Sequence, residues 1–148
     1  MTLPPEFNQH RLLLYYKGDI SALTLFAQHS NGSTCWPEPL PVLASISEPD
    51  NPPKDQKISI HPALLIKAIN ELLQLDDDIL RTEIGFHEYI ATPQGIITVN
   101  MARFNLLDPP HQMLQKQGFR LRTLPELRNR PPAELELLRR AYVKVMES

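Results

Sequence analysis

The sequence predicts an α+β fold: a mostly antiparallel sheet built from hairpins, with two main helices packed on it. Three observations carry that expectation. Strand-like segments come in pairs joined by turn signals. Segments of helical period fall between and after those pairs, not in the regular alternation of a parallel design. Fifteen prolines against five glycines punctuate the chain into short elements with stiff connections. At 148 residues the chain fits one domain, residues 1–148, large enough to bury a core unaided.

Residues 11–17 and 20–28 are strand-like and joined by Gly18-Asp19, a two-residue hairpin signal that pairs Lys17 with Ile20. Leu12, Leu14, Tyr16, Leu23 and Leu25 then share one face, and Leu13, Tyr15 and Phe26 the other. Asn31-Gly32 signals a second tight hairpin, setting His29 opposite Thr34, and a short edge strand follows at 42–47. Glu48-Pro-Asp-Asn-Pro-Pro-Lys-Asp marks a proline-rich surface loop at about 48–57.

Residues 62–75 form the first helix, with Pro62 in its opening turn and Leu65, Ala68, Ile69, Leu72 and Leu73 at helical spacing. One of Asp76, Asp77 and Asp78 is expected to cap a short turn through Leu80. The clearest hairpin joins 84–91 to 96–104 through Thr92-Pro93-Gln94-Gly95. A bulged turn there pairs Thr92 with Ile96 and sets His87 opposite Met101. Asp108-Pro109-Pro110 opens a short helix capped by Asp108 and stopped at Gly118. Residues 119–123 alternate, with Phe119 and Leu121 inward. Thr123-Leu-Pro-Glu126 is a capping-box pattern. Residues 131–147 make the final helix, with Leu135, Leu138, Tyr142 and Val145 as its apolar stripe.

Charge is segregated although the net is only −2. Nine Lys/Arg face four Asp/Glu between 103 and 144, whereas residues 1–102 hold six against twelve. Charge sign speaks to partners and encounter, not to fold. Arg103, Arg120, Arg122, Arg128 and Arg130 fall at strand ends and in short connections, where guanidinium forks can converge on a phosphate or carboxylate. They are the candidate anion-binding residues.

The other candidates have quieter explanations. His87 and Glu88 are adjacent in a strand and point to opposite faces, so they do not serve one substrate together. Asp76–Asp78 radiate from a helix end as a solvated turn, and no metal site is expected. Cys35, the single cysteine, reads as a buried, inert thiol. With 7% aromatic residues, no zinc-finger or RNA-binding motif and an acidic first two-thirds, nucleic acid is not the expected partner. The start Met1-Thr-Leu-Pro-Pro-Glu lacks the features of a secretion signal, and the longest apolar run, Leu12 to Tyr16, is too short for a bilayer. A cytoplasmic protein without cofactor is expected.

The order of strands, helix 62–75, hairpin, Gly118-Phe-Arg-Leu-Arg-Thr-Leu-Pro-Glu-Leu and terminal helix is similar to the layout of Nudix-type hydrolases. The resemblance covers about 60–146 and implies magnesium-dependent hydrolysis on the first helix. That helix, Leu64-Leu-Ile-Lys-Ala-Ile-Asn-Glu-Leu-Leu, offers Glu71 alone and no glycine, so no catalytic residue carries over. The leading expectation is a non-catalytic binding module whose basic region meets an acidic protein or small anion, with self-association as a homo-oligomer one form of it. The alternatives are a divergent phosphoesterase, with Glu71, an aspartate of 76–78 or Glu83 beside Arg120 or Arg122, and a structural subunit with an exposed apolar patch.

Overall fold

The structure is a computed structural model that describes residues 8–19, 22–47, 61–76 and 78–147. In chain order its elements are β1 (His10–Lys17), β2 (Thr24–His29), β3 (Ser45–Ile46), α1 (Pro62–Leu73), β4 (Leu80–Thr82), β5 (Glu88–Thr92) and β6 (Gly95–Phe104). There follow α2 (His111–Lys116), β7 (Phe119–Arg122), a 3-10 turn at Pro125–Leu127, and α3 (Pro132–Glu147). The expected class holds among the described residues: seven strands form one mixed, mostly antiparallel sheet. The proline-rich loop at about 48–57 lies outside the described residues.

Strand order is β3-β5-β6-β1-β2-β7. Its centre is a parallel pair, β1 beside β6, from His10 opposite Thr98 to Tyr15 opposite Arg103. β5 and β4 share the other edge of β6, along Gly95–Val99 and Ala102–Phe104 respectively. β7 closes the far side against β2 and has no further strand beyond it among the described residues.

Each face of the sheet carries its own core. On one, Leu12, Leu14, Tyr16, Leu25 and Phe104 pack against Leu65, Ile69 and Leu73 of α1 and Leu114 of α2. On the other, Leu13, Tyr15, Phe26, Val99 and Met101 meet Leu137, Leu138, Ala141 and Val145 of α3. Full burial of such a side chain contributes about 1.5–3 kcal/mol. The run Leu12 to Tyr16 is therefore the mark of a strand covered on both faces.

Several local expectations are corrected. Lys17 pairs with Thr24, not Ile20, so a longer loop replaces the two-residue turn. It closes with Gly18 N–H on the Leu23 carbonyl at 3.0 Å, and the Asp19 carboxylate accepts from Arg103 at 3.1 Å. The slip is an even number of residues, so the predicted faces of the paired residues are kept, while Leu23 falls outside β2 and is exposed. At Asn31-Gly32 the turn holds three residues: His29 N–H donates to Ser33 O at 2.8 Å and Gly32 takes φ +93°. Asn31 lacks the positive φ that a tight type I′ turn needs at both central residues, so Gly32 closes a bulged turn instead.

The β5–β6 hairpin is slipped by one residue from expectation: Thr92 pairs with Gly95 and Ile90 with Ile97. Burial decides it. Ile90 and Ile97 now enter the same core, whereas the predicted register set Ile90 against Thr98. The strand predicted from 84 begins only at Glu88, because Gly85 at φ +90° turns the chain and leaves Ile84 exposed. Ile79 N–H closes a short turn on the Asp76 carbonyl, and Leu80 already begins β4. Asp108 does not cap α2; Pro110 holds the cap position. A residue before proline avoids helical angles, so Pro109 cannot open the helix. In α3 the buried residues are Glu134, Leu137, Leu138, Ala141 and Val145: Leu138 and Val145 are as expected, Tyr142 packs half-buried against the same core, and Leu135 is only half-buried. A glutamate among these buried residues has a cause given below.

Candidate functional site

Arg120 and Arg122 stand two residues apart on β7, opposite Gln28 and Phe26 of β2, on the face that α3 covers further in. α3 and the 3-10 turn bury Phe26 and Leu127 there, but Arg120 stays exposed at the sheet margin. Thr123-Leu-Pro-Glu126 then reverses the chain. Glu126 reaches back to accept from Thr123 N–H at 2.9 Å and Thr123 Oγ1–H at 3.0 Å, the half of the capping box that anchors the carboxylate. These bonds, the backbone one foremost, hold its carboxyl below the ordinary glutamate range. The same turn carries Arg128 to the margin.

Arg122 is a strut. Its Nε donates to Gln28 Oε1 at 3.2 Å and its Nη1 lies 3.5 Å from Glu126 Oε2. Gln28 is fixed in turn by its Nε2–H on the Gly32 carbonyl at 2.8 Å. Three adjoining depressions meet at this strut. One of about 420 Å3 is lined by Gln28, His29, Ser30, Gly32, Gln115, Gly118, Phe119, Arg120 and Arg122. A second, also about 420 Å3, lies among Gln28, Arg122, Pro125, Glu126, Arg128 and Asn129. The third, about 390 Å3, is bounded by His111, Gln115, Phe119, Arg120, Leu121 and Arg122.

Donors dominate this surface. The His29 ring packs edge-on against Phe119 at 4.8 Å, and its Nδ1 accepts from Asn31 N–H at 3.4 Å. That bond assigns the neutral ring's proton to Nε2, which lies beside Gly118 on the wall of the first depression. The Arg120 and Arg128 side chains make no ion pair or hydrogen bond among the described residues.

The other two predicted arginines are placed differently. Arg103 lies across Tyr15 and Phe26 from Arg122, three strand spacings or about 14 Å away. Its Nη2 donates to the Lys17 carbonyl at 3.0 Å and Asp19 at 3.1 Å. Arg130 is held by Glu134, with Nε on Oε2 at 2.8 Å and Nη2 on Oε1 at 3.2 Å. Glu134, 1% exposed, also accepts from Ser33 Oγ, Thr34 N and Thr34 Oγ1. Five donors on one buried carboxylate explain the charge inside the α3 stripe. Gly32 has no side chain where the Arg130 guanidinium approaches, 3.0 Å from where a Cβ would stand.

Sequence reasoning missed Gln28, His29 and Gln115 as lining residues. Their positions depend on β7 pairing with β2 over about ninety intervening residues, which no local pattern announces. It also missed that Arg140 pairs with Glu88 of β5 and donates to the Ser47 carbonyl at 2.7 Å.

His87 is exposed and does not face Met101; its Nδ1 is 2.8 Å from Asn100 Oδ1, as the slipped register requires. Glu88 turns the other way, to Arg140. Cys35 is buried, 1% exposed, and burial pushes its thiol up to about 12. His29 packs on Phe119 and not on that thiol. Glu71 borders a shallow depression with Lys67, Asn70 and Gln74 on α1, and Glu83 accepts from Tyr15 Oη at 2.6 Å. Neither carboxylate joins Arg120 or Arg122 in a depression. Among the described residues no group of three or more His, Cys, Asp or Glu side chains could hold a metal ion, and no helix is long and apolar enough to cross a membrane. Leu135 and Tyr142 are half-buried, while Val143 and Met146 of the same helix are exposed.

No protein-family model matches this chain, and no curated protein matches it either.

Proposed function

We propose that the protein is a non-catalytic binding module, cytoplasmic, which takes an anionic group at the β2–β7 margin. The observation that supports this is the pair Arg120 and Arg128, both exposed and without a carboxylate among the described residues, flanking the braced Arg122. A guanidinium offers several fixed donors, and two or three around one depression favour phosphate or carboxylate oxygens over water. The brace matters because Arg122 is already ordered, which lowers the entropy lost on binding. Among the described residues that line the three depressions Glu126 is the one acidic group, and it is engaged by Thr123 and Arg122. Arg103 and Arg130 are the two predicted residues that this reading leaves outside the site.

The test is calorimetric titration with pyrophosphate at low ionic strength. Binding should weaken by about tenfold or more between roughly 20 mM and 300 mM salt, because exposed charges are screened over a Debye length. The Arg120→Ala/Arg128→Ala variant should lose at least about tenfold, each charge-assisted bond being worth about 1.5–3 kcal/mol. Arg103→Ala should bind as the parent does. Affinity unchanged in the double variant would dismiss the reading.

A further inference from the structure

The third depression has an unusual lining. Phe119 and Leu121 point to the α1–α2 side of the sheet, and Arg120 and Arg122 to the α3 side, yet all four border it. Consecutive residues of a strand face opposite ways, so only a groove along the strand's outer edge touches both sets. That edge belongs to β7, whose backbone has β2 on one side and no strand on the other among the described residues.

We infer that an extended acidic peptide segment adds to β7 as a further strand, its carboxylates alternating onto Arg120 and Arg122. The inference rests on the anion reading above and specifies its ligand class. An open edge offers unpaired N–H and C=O groups to any extended chain, and the side chains decide which chain is accepted. Here they select by charge. A second copy pairing β7 to β7 would set arginine against arginine, and like charges directly opposite destabilise a sheet pair. An acidic segment replaces that repulsion with ion pairs. Arg128, across the strut from Arg120, extends the positive margin past the end of β7.

The simpler account of arginines on an edge strand is protection against aggregation, with no ligand at all. The experiment separates the two, using the full chain and three probes. These are the capped hexapeptide acetyl-(Thr-Glu)3-amide, the same peptide methylated on every backbone nitrogen, and inorganic pyrophosphate. The methylated peptide keeps all carboxylates and loses every backbone donor. The inference expects the plain peptide to bind at least about tenfold tighter than the methylated one, since ladder bonds contribute beyond charge. Amide exchange at Phe119–Arg122 should slow when the plain peptide is present, and Arg120→Glu should abolish binding. Equal affinity for both peptides, or no slowing at β7, overturns strand addition while leaving the anion site in place. Pyrophosphate binding without peptide binding does the same. Failure of all three probes to bind overturns the anion reading together with this one, and edge protection is then the role of these arginines.

Discussion

Replacing Glu134 by leucine should unfold a large part of the protein's stability margin. The side chain is 1% exposed and accepts five hydrogen bonds, two from Arg130, two from Thr34 and one from Ser33. Leucine fits the space but leaves the Arg130 charge unpaired and the donors of Ser33 and Thr34, 0% and 3% exposed, without an acceptor. Breaking a buried pair by removing one partner costs about 3–5 kcal/mol. The Arg130 side chain is 20% exposed and can recover some water, which sets the expectation near the lower end, about 3 kcal/mol. For a chain of this size that is a fall of about 6–12 °C in Tm. Urea unfolding followed by circular dichroism reads it, with the slope unchanged if the native state is otherwise intact. The double variant Arg130→Met/Glu134→Leu removes the stranded charge as well, and should be more stable than Glu134→Leu by over about 1 kcal/mol. A loss under about 1 kcal/mol for the single variant, or no recovery in the double, would refute the assignment of Glu134 as a buried lock.

Three further outcomes follow from burial and charge. Cys35 should react with a thiol reagent at pH 8 no faster than the protein unfolds, since burial keeps the thiol protonated up to about 12; rapid labelling of folded protein would contradict its placement. His10, 2% exposed, has its pKa lowered by burial and by the neighbouring Arg11. A depressed folded value means stability held above the ordinary value of 6.5 and lost as pH falls below it, so His10→Gln should flatten the drop in urea midpoint below pH 6.5. Glu88→Ala removes the β5 carboxylate from Arg140, which is 17% exposed and keeps Glu136 and the Ser47 carbonyl, and should destabilise by about 1.5–3 kcal/mol in the same assay.

Much of this fold was legible because short-range rules and burial agreed. The faces of β1 and β2 came from alternation alone and outlived a wrong turn, because the error was even. The β5–β6 register failed for the converse reason. Thr92-Pro93-Gln94-Gly95 admits two turns one residue apart, and the choice lay with Ile90 finding Ile97, a contact that turn chemistry does not encode. The parallel pairing of β1 with β6 joins residues almost ninety apart, and nothing local reports it; only the unbroken Leu12–Tyr16 run hinted at cover on both faces. At the proposed site, the charge excess pointed only to a stretch of sequence, and the pairing of β7 with β2 brings Gln28 and His29 to Arg120 and Arg122. Composition could not separate arginines that hold the structure from those left over.

That separation is where charge and fold meet. Arg130 and Arg140 each secure α3, one to the Ser33–Thr34 turn through Glu134, the other to β5 through Glu88. Their guanidinium groups are largely withdrawn from water, and their partners are carboxylates that the sequence places inside or against α3. Arg103 ties the β1–β2 loop to β6. Arg120 and Arg128 do none of this. They sit where the sheet ends, one on its last strand and one just past it, and the groups near them are Gln28, His29, Asn129 and an already engaged Glu126. A positive charge that secures no element contributes little to stability at a surface. Replacing Arg120 and Arg128 together should therefore leave the urea midpoint within the range of ordinary surface changes, about 0.5 kcal/mol, while removing anion binding. A large loss of stability in that variant would return these two arginines to the structural group and leave the binding site without its principal donors.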